Sequence, residues 1–162
     1  RSGMEQHRLI KWLKFLVIFA AGCGMVMDLG VLPGVGSWMV DLAPEFGGYF
    51  WPWLIFLWIL SVPCYMALWM AWKIFTDIEK DKAFTMENAK RMGNVSFLAA
   101  ADAVLLVVGN VVYLILHMNH PGVLLASFLI ALVGTAIAIA AAMLSHLIRK
   151  AARLQDESDW TI

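Results

Sequence analysis

The sequence predicts an all-α integral membrane protein. Four transmembrane helices are expected to form an antiparallel bundle, with both termini cytoplasmic and the helices extended into the cytoplasm. Three observations predict it. Of the 162 residues, 62% are apolar and 15% charged, whereas soluble domains run at about 45–50% and about 25%. Four stretches, 12–32, 50–72, 96–116 and 123–146, are apolar over the roughly 20 residues that cross about 30 Å of hydrocarbon. All Lys and Arg fall in the N-terminal segment (Arg1, Arg8, Lys11, Lys14), the middle loop (Lys73, Lys80, Lys82, Lys90, Arg91) and the tail (Arg149, Lys150, Arg153).

Each element follows from local chemistry. Backbone amides in lipid must bond within their own segment, so the spans are helices rather than strands. Arg1-Ser2-Gly3 precede the first methionine, Met4, and are expected to be left over from cloning, which makes 4–162 a single domain. The first span, 12–32, ends at Pro33, and the Pro- and Gly-bearing stretch 33–49 reads as a connection. Arg8, Lys11 and Lys14 followed by Ala20-Ala21-Gly22-Cys23 also resemble a lipoprotein signal, but Ala20 stands where Leu is usual. The second span carries Pro63, which kinks a helix and frees carbonyls near the mid-plane. Its pattern continues through Ile74, Phe75 and Ile78 into a hairpin, 76–94. Thr85 is placed to cap the third helix, which runs without proline from Met86 to Met118, roughly 50 Å at about 1.5 Å per residue. The fourth continues through Ile148 and Leu154 into the tail 150–162. These extensions either pack on one another or a partner, or are solvated turns.

The two connections without a cation, 33–49 and 117–122, belong outside, and the basic segments inside, a cell (cytoplasmic) membrane. Trp12 and Trp72 suit the inner interface, Trp51 and Trp53 the outer one.

Charged side chains within spans are costly and are candidate functional sites. Asp28 shares a face with Gly24 and Ala20. With no Lys or Arg at the outer end, it is expected to form an outer cation- or pH-responsive cluster with His117 and His120, or else to sit among headgroups while the histidines face water. Asp102 is carried as the neutral acid, or bonds Ser61, Asn110 or Thr135 across the bundle, or marks an ion pathway or ligand site. No metal is assigned, because His-x-x-His with one distant carboxylate is too few ligands. Cys23 and Cys64 are expected to pack. Ala126, Gly134, Ala138 and Ala142, beside Ser127, Ala131 and Thr135, form small-residue stripes that serve contact within the chain or a homodimer. No phosphate-cradling loop, triad or zinc motif is present. Neither an enzyme nor a cofactor is expected, and nothing suggests direct nucleic-acid binding.

Two strings are more specific. The first holds Pro63, Ala67, Leu68, Trp72, Lys73, Ile78, Glu79, Lys82, Ala83, Phe84 and Thr85. The second ends in Glu157, Asp159, Thr161 and Ile162, with Trp160 where Leu is usual. Together they resemble the bacterial four-helix membrane family catalogued as domain of unknown function 2975. The resemblance implies architecture more than activity. Members often accompany a small helix-turn-helix regulator, which implies a non-enzymatic, receptor-like membrane protein whose cytoplasmic face binds that partner. Its docking surface would comprise Trp72, Lys73, Ile78, Lys82, Phe84, Thr85, Glu157, Asp159 and Trp160. The competing expectation is a small oligomeric transporter or channel that uses Asp102 and Asn110.

Overall fold

The computed structural model describes residues 2–160. Arg1, and Thr161 and Ile162 of the tail motif, lie outside them. The described residues form helices and no strand. Helix α1 (Ser2–Val26) passes through a π turn (Met27–Val31) into α2 (Leu32–Leu42). A 3-10 turn (Pro44–Tyr49) leads to α3 (Phe50–Glu79), followed by α4 (Met86–Ile115) and α5 (Pro121–Trp160). Four of these runs are long and apolar enough to cross a membrane.

The first run spans Gly3–Leu42, so the helix does not end at Pro33 as expected. The reason is a local change of register. The Leu32 N–H bonds the Met27 carbonyl, an i→i+5 step. The next rung would need an N–H from Pro33, which has none. The Asp28 carbonyl is taken instead by the Trp58 indole N–H of α3, at 2.6 Å. A donor from another helix thus replaces the missing rung, and the chain continues helical to Leu42, where Ala43 adopts φ −139°.

Thr85 caps α4 as expected, its hydroxyl accepting the Asn88 N–H at 3.1 Å. The helix stops at Ile115 rather than Met118. His117 takes the left-handed conformation, φ 60°, while the Met118 N–H reaches back to Tyr113 O and the His117 N–H to Leu114 O. This is a Schellman close with histidine where glycine is usual. With 40 residues, α5 is roughly 60 Å long at about 1.5 Å per residue, about twice the hydrocarbon depth.

Close packing follows chain order: the first span on α3, α3 on α4, α4 on α5. Among the described residues α5 makes no close approach to α1 or α3, so the expected four-helix arrangement is an open one. Lipid is as apolar as leucine, so helices associate through small residues and hydrogen bonds rather than hydrophobic gain. The α4–α5 seam shows it. On α5 it buries Ser127, Ala131, Ala138, Ala141, Ser145, Ile148 and Ala152. Across it the Ser96 hydroxyl donates to Ala138 O at 2.6 Å, and the Ser145 hydroxyl to Ala89 O. Of the expected stripes, Ala126, Thr135 and Ala142 face outward. Elsewhere glycines admit aromatic rings: a Cβ on Gly24 would meet the Tyr65 hydroxyl at 2.7 Å, and one on Gly109 would collide with the Phe56 ring.

Opposite ends of the molecule differ in charge. Gln6 donates to Ile78 O, Lys14 pairs with Glu79 and Arg91 with Asp77, so the basic segments gather at one end. At the other, Trp53 donates to Met118 O and Tyr113 to Pro52 O, both at 2.8 Å. Gly109→Ala is expected to lower stability by about 1–3 kcal/mol through overpacking. Gly30→Ala, which meets nothing within 4 Å, is expected to be neutral; thermal unfolding in detergent measures both.

Candidate functional site

The polar chemistry inside the spans converges on one stretch of α3. Ser61 and Tyr65, one turn apart, face the first span, where the π turn presents Asp28. The Ser61 hydroxyl donates to Asp28 Oδ1 and the Tyr65 hydroxyl to Asp28 Oδ2, each at 3.0 Å. Leu57 O of the same helix, 3.1 Å from the Ser61 hydroxyl, is the alternative acceptor for its single proton. With Trp58 on the Asp28 carbonyl, three side chains of α3 hold one residue of the first span. Gly24 makes this possible, since it leaves room for the Tyr65 ring.

From α4, Asp102 approaches the same stretch. Cys64 Sγ lies 3.7 Å from Asp102 Oδ2 and 3.8 Å from Leu60 O, the contacts of a weak thiol donor. Asp102 Oδ1 is buried and takes no hydrogen bond. The two intramembrane carboxyls are therefore placed differently: Asp28 has two hydroxyl donors, Asp102 one thiol. Pro63 lies between the residues that meet them.

The other expected contacts are not made. Asp28 does not join His117 and His120, because the first span packs on α3 and makes no close approach to α4 or α5 among the described residues. His117 closes α4, and His120 Nδ1 accepts the Gly122 N–H at 2.9 Å. No group of three or more potential metal ligands occurs among the described residues. Asp102 does not reach Ser61, Asn110 or Thr135, each of which is engaged elsewhere. Ser61 serves Asp28, and Thr135 donates to Ala131 O at 2.8 Å. Asn110, fully buried, donates to Leu106 O and accepts from Asn119. Trp58, Cys64 and Tyr65 were absent from the expected set. A hydroxyl or indole one turn from Ser61 is a weak signal by itself, and only the pairing of the first span with α3 reveals it.

The basic end is ordered by a second network. Asn88, fully buried, donates to Lys82 O and Ala83 O. Arg91 bonds Asp77, Asn88 and Glu87 at 2.7–2.8 Å. These contacts hold the connection 80–85, where Asp81 has φ 56°. The connection turns Phe84 outward, and Trp160 at the end of α5 is also exposed. Trp72 underlies Lys14 at 4.8 Å, while Lys73, Lys82 and Asp159 are exposed.

The family model described as "protein of unknown function (DUF2975)" matches residues 34–162. The chain belongs to the DUF2975 family. It is also 25% identical over 153 residues to the uncharacterized membrane protein YoaS of Bacillus subtilis (strain 168), covering 93% of this chain and 96% of that protein. No solved structure matches. Family, relative and four long apolar helices together make this DUF2975 member a multi-pass membrane protein.

Interhelical hydrogen bonds in membranes contribute about 0.6–2 kcal/mol, so Tyr65→Phe and Ser61→Ala are each expected to destabilise by that much. In an Asp28→Asn background both losses are expected to shrink, because the shared acceptor is altered. Unfolding in mixed micelles measures the cycle; losses undiminished in that background would show that the hydroxyls act through other partners.

Proposed function

We propose that this protein is a non-enzymatic, receptor-like regulator whose basic end lies in the cytoplasm of a bacterial inner membrane and docks a protein partner. The exposed apolar side chains at that end carry the reading. Phe84 is 52% exposed and Trp160 87% exposed. Both lie on the basic end, which the positive-inside tendency assigns to the cytoplasm. Aromatic anchors dominate protein interfaces, and Phe84 and Trp160 offer two of them. The network of Asn88, Thr85 and Arg91 orders the hairpin in advance, which lowers the entropy lost on docking. Trp72, Ile78, Lys82, Glu157 and Asp159 complete the proposed surface, and the family resemblance suggests a small helix-turn-helix regulator as its partner; Lys73 stands apart from them, over Trp69 on the outward face of α3. Co-expressed with such a regulator and reconstituted in nanodiscs, the protein is expected to retain it. Phe84→Glu with Trp160→Glu should weaken retention at least about tenfold, the effect of losing about 1.4 kcal/mol. Retention unchanged by both substitutions would remove this surface.

One observation favours a second reading, a small oligomeric transporter or channel: the buried Asp102 oxygen without a donor. Asn110, the other residue of that reading, has its amide bonds filled within α4 and its connection, which suits a structural role better. Proton or cation flux in proteoliposomes that is abolished by Asp102→Asn would support this reading; flux insensitive to the change would exclude Asp102 from a pathway.

A further inference from the structure

The outward face of α3 has the chemistry of a phospholipid laid along a helix. Ile55, Ile59, Val62, Met66 and Trp69 follow one another at steps of three and four residues and are 46–61% exposed. One more turn reaches Lys73, which is also exposed. Its Nζ stands over the Trp69 ring at 5.3 Å. The stripe thus runs from aliphatic side chains through an indole to an ammonium, in the order of acyl chain, glycerol level and phosphate.

Lys73 differs from Lys14 and Arg91, the two cations whose ion pairs join helices at the basic end. Lys14 is neutralised by Glu79, and Arg91 by Asp77 and Glu87. Among the described residues, Lys73 has no carboxylate within ion-pair distance. Its position, one residue beyond Trp72 at the end that gathers the basic segments, puts it at headgroup depth, where Lys and Trp side chains anchor helices. An ammonium there, held over an indole and facing lipid, is complementary to an anion that also supplies acyl chains.

We infer that Trp69 and Lys73 form a binding site for the headgroup phosphate of an anionic phospholipid, whose acyl chain lies along Val62 and Met66. The site is separate from the proposed docking surface for a protein partner, which does not include Lys73.

The full-length protein is reconstituted in nanodiscs of phosphatidylcholine mixed with phosphatidylglycerol, and the lipids it keeps on release are counted by native mass spectrometry. Wild type is expected to keep phosphatidylglycerol in preference. Lys73→Gln should lower that retention about fivefold, the weight of one basic residue at an anionic surface. Lys73→Arg should restore it, and Lys80→Gln, in the exposed connection, should leave it unchanged. Inorganic phosphate is not expected to displace the lipid. Because Lys73 is exposed, its replacement should not unfold the protein, and capture of the helix-turn-helix regulator should stay at the wild-type level. Equal losses in Lys73→Gln and Lys80→Gln, equal retention of both lipids, or displacement by free phosphate would each overturn the site. A fall in regulator capture with lipid retention intact would place Lys73 on the protein-docking surface and overturn the lipid site as well.

Discussion

Hydrocarbon offers no water to a polar group, and each unsatisfied one costs several kcal/mol, about the size of a small domain's whole stability. That constraint sorts this chain. No Lys or Arg occurs between Lys14 and Lys73, or between Arg91 and Arg149, so among the described residues the cations are left to one end of the molecule. Within the spans the remaining polar side chains are spent on specific acceptors. Ser96 and Ser145 bond carbonyls across the α4–α5 seam. Ser61 and Tyr65 bond the Asp28 carboxyl, and Trp58 serves the carbonyl that Pro33 leaves without its rung.

Two kinds of interface result. The α4–α5 seam is made of small residues and brings backbones close, and this is the dry packing that lipid permits. The contact between the first span and α3 is looser and more polar. Away from the basic end its hydrogen bonds all go to Asp28, in a π turn of the kind often found at functional sites, and it faces an α3 that carries Pro63. The close-packed half of the molecule carries the ordered hairpin, the long α5 and Asp102 of α4. The other half carries Asp28, Pro33 and Pro63.

Much of the architecture was legible in the sequence, because the spans and their charged borders are local properties. The start of α3 after Tyr49, the Thr85 cap and the grouping of cations all follow from composition and short-range chemistry. Pro33 misled, because its effect depends on Trp58, a donor 30 residues away from Asp28, and no local rule reports that a distant indole will complete a rung. Asp28 is legible as a charged residue within a span, but its partners Ser61 and Tyr65 are not. Its distance along the chain says nothing about whether the first span lies beside α3 or α4, and the lack of a cation at the outer end drew attention to His117 and His120. Those histidines answer local needs, one closing α4 in the left-handed conformation and the other accepting a backbone N–H. Cys64 carries little signal in an apolar run and becomes meaningful only beside Asp102.

The account stands on all cations meeting on one side of the bilayer. Its most direct test is substituted-cysteine labelling in intact cells and inverted vesicles, with Cys23 and Cys64 replaced by Ala and single cysteines placed at Lys82, Gln155 and Glu45. Positions 82 and 155 are expected to react with an impermeant maleimide only from the cytoplasmic side, and position 45 only from the opposite one. Reaction of 82 and 155 from different sides would contradict the four-span arrangement and, with it, the shared basic end.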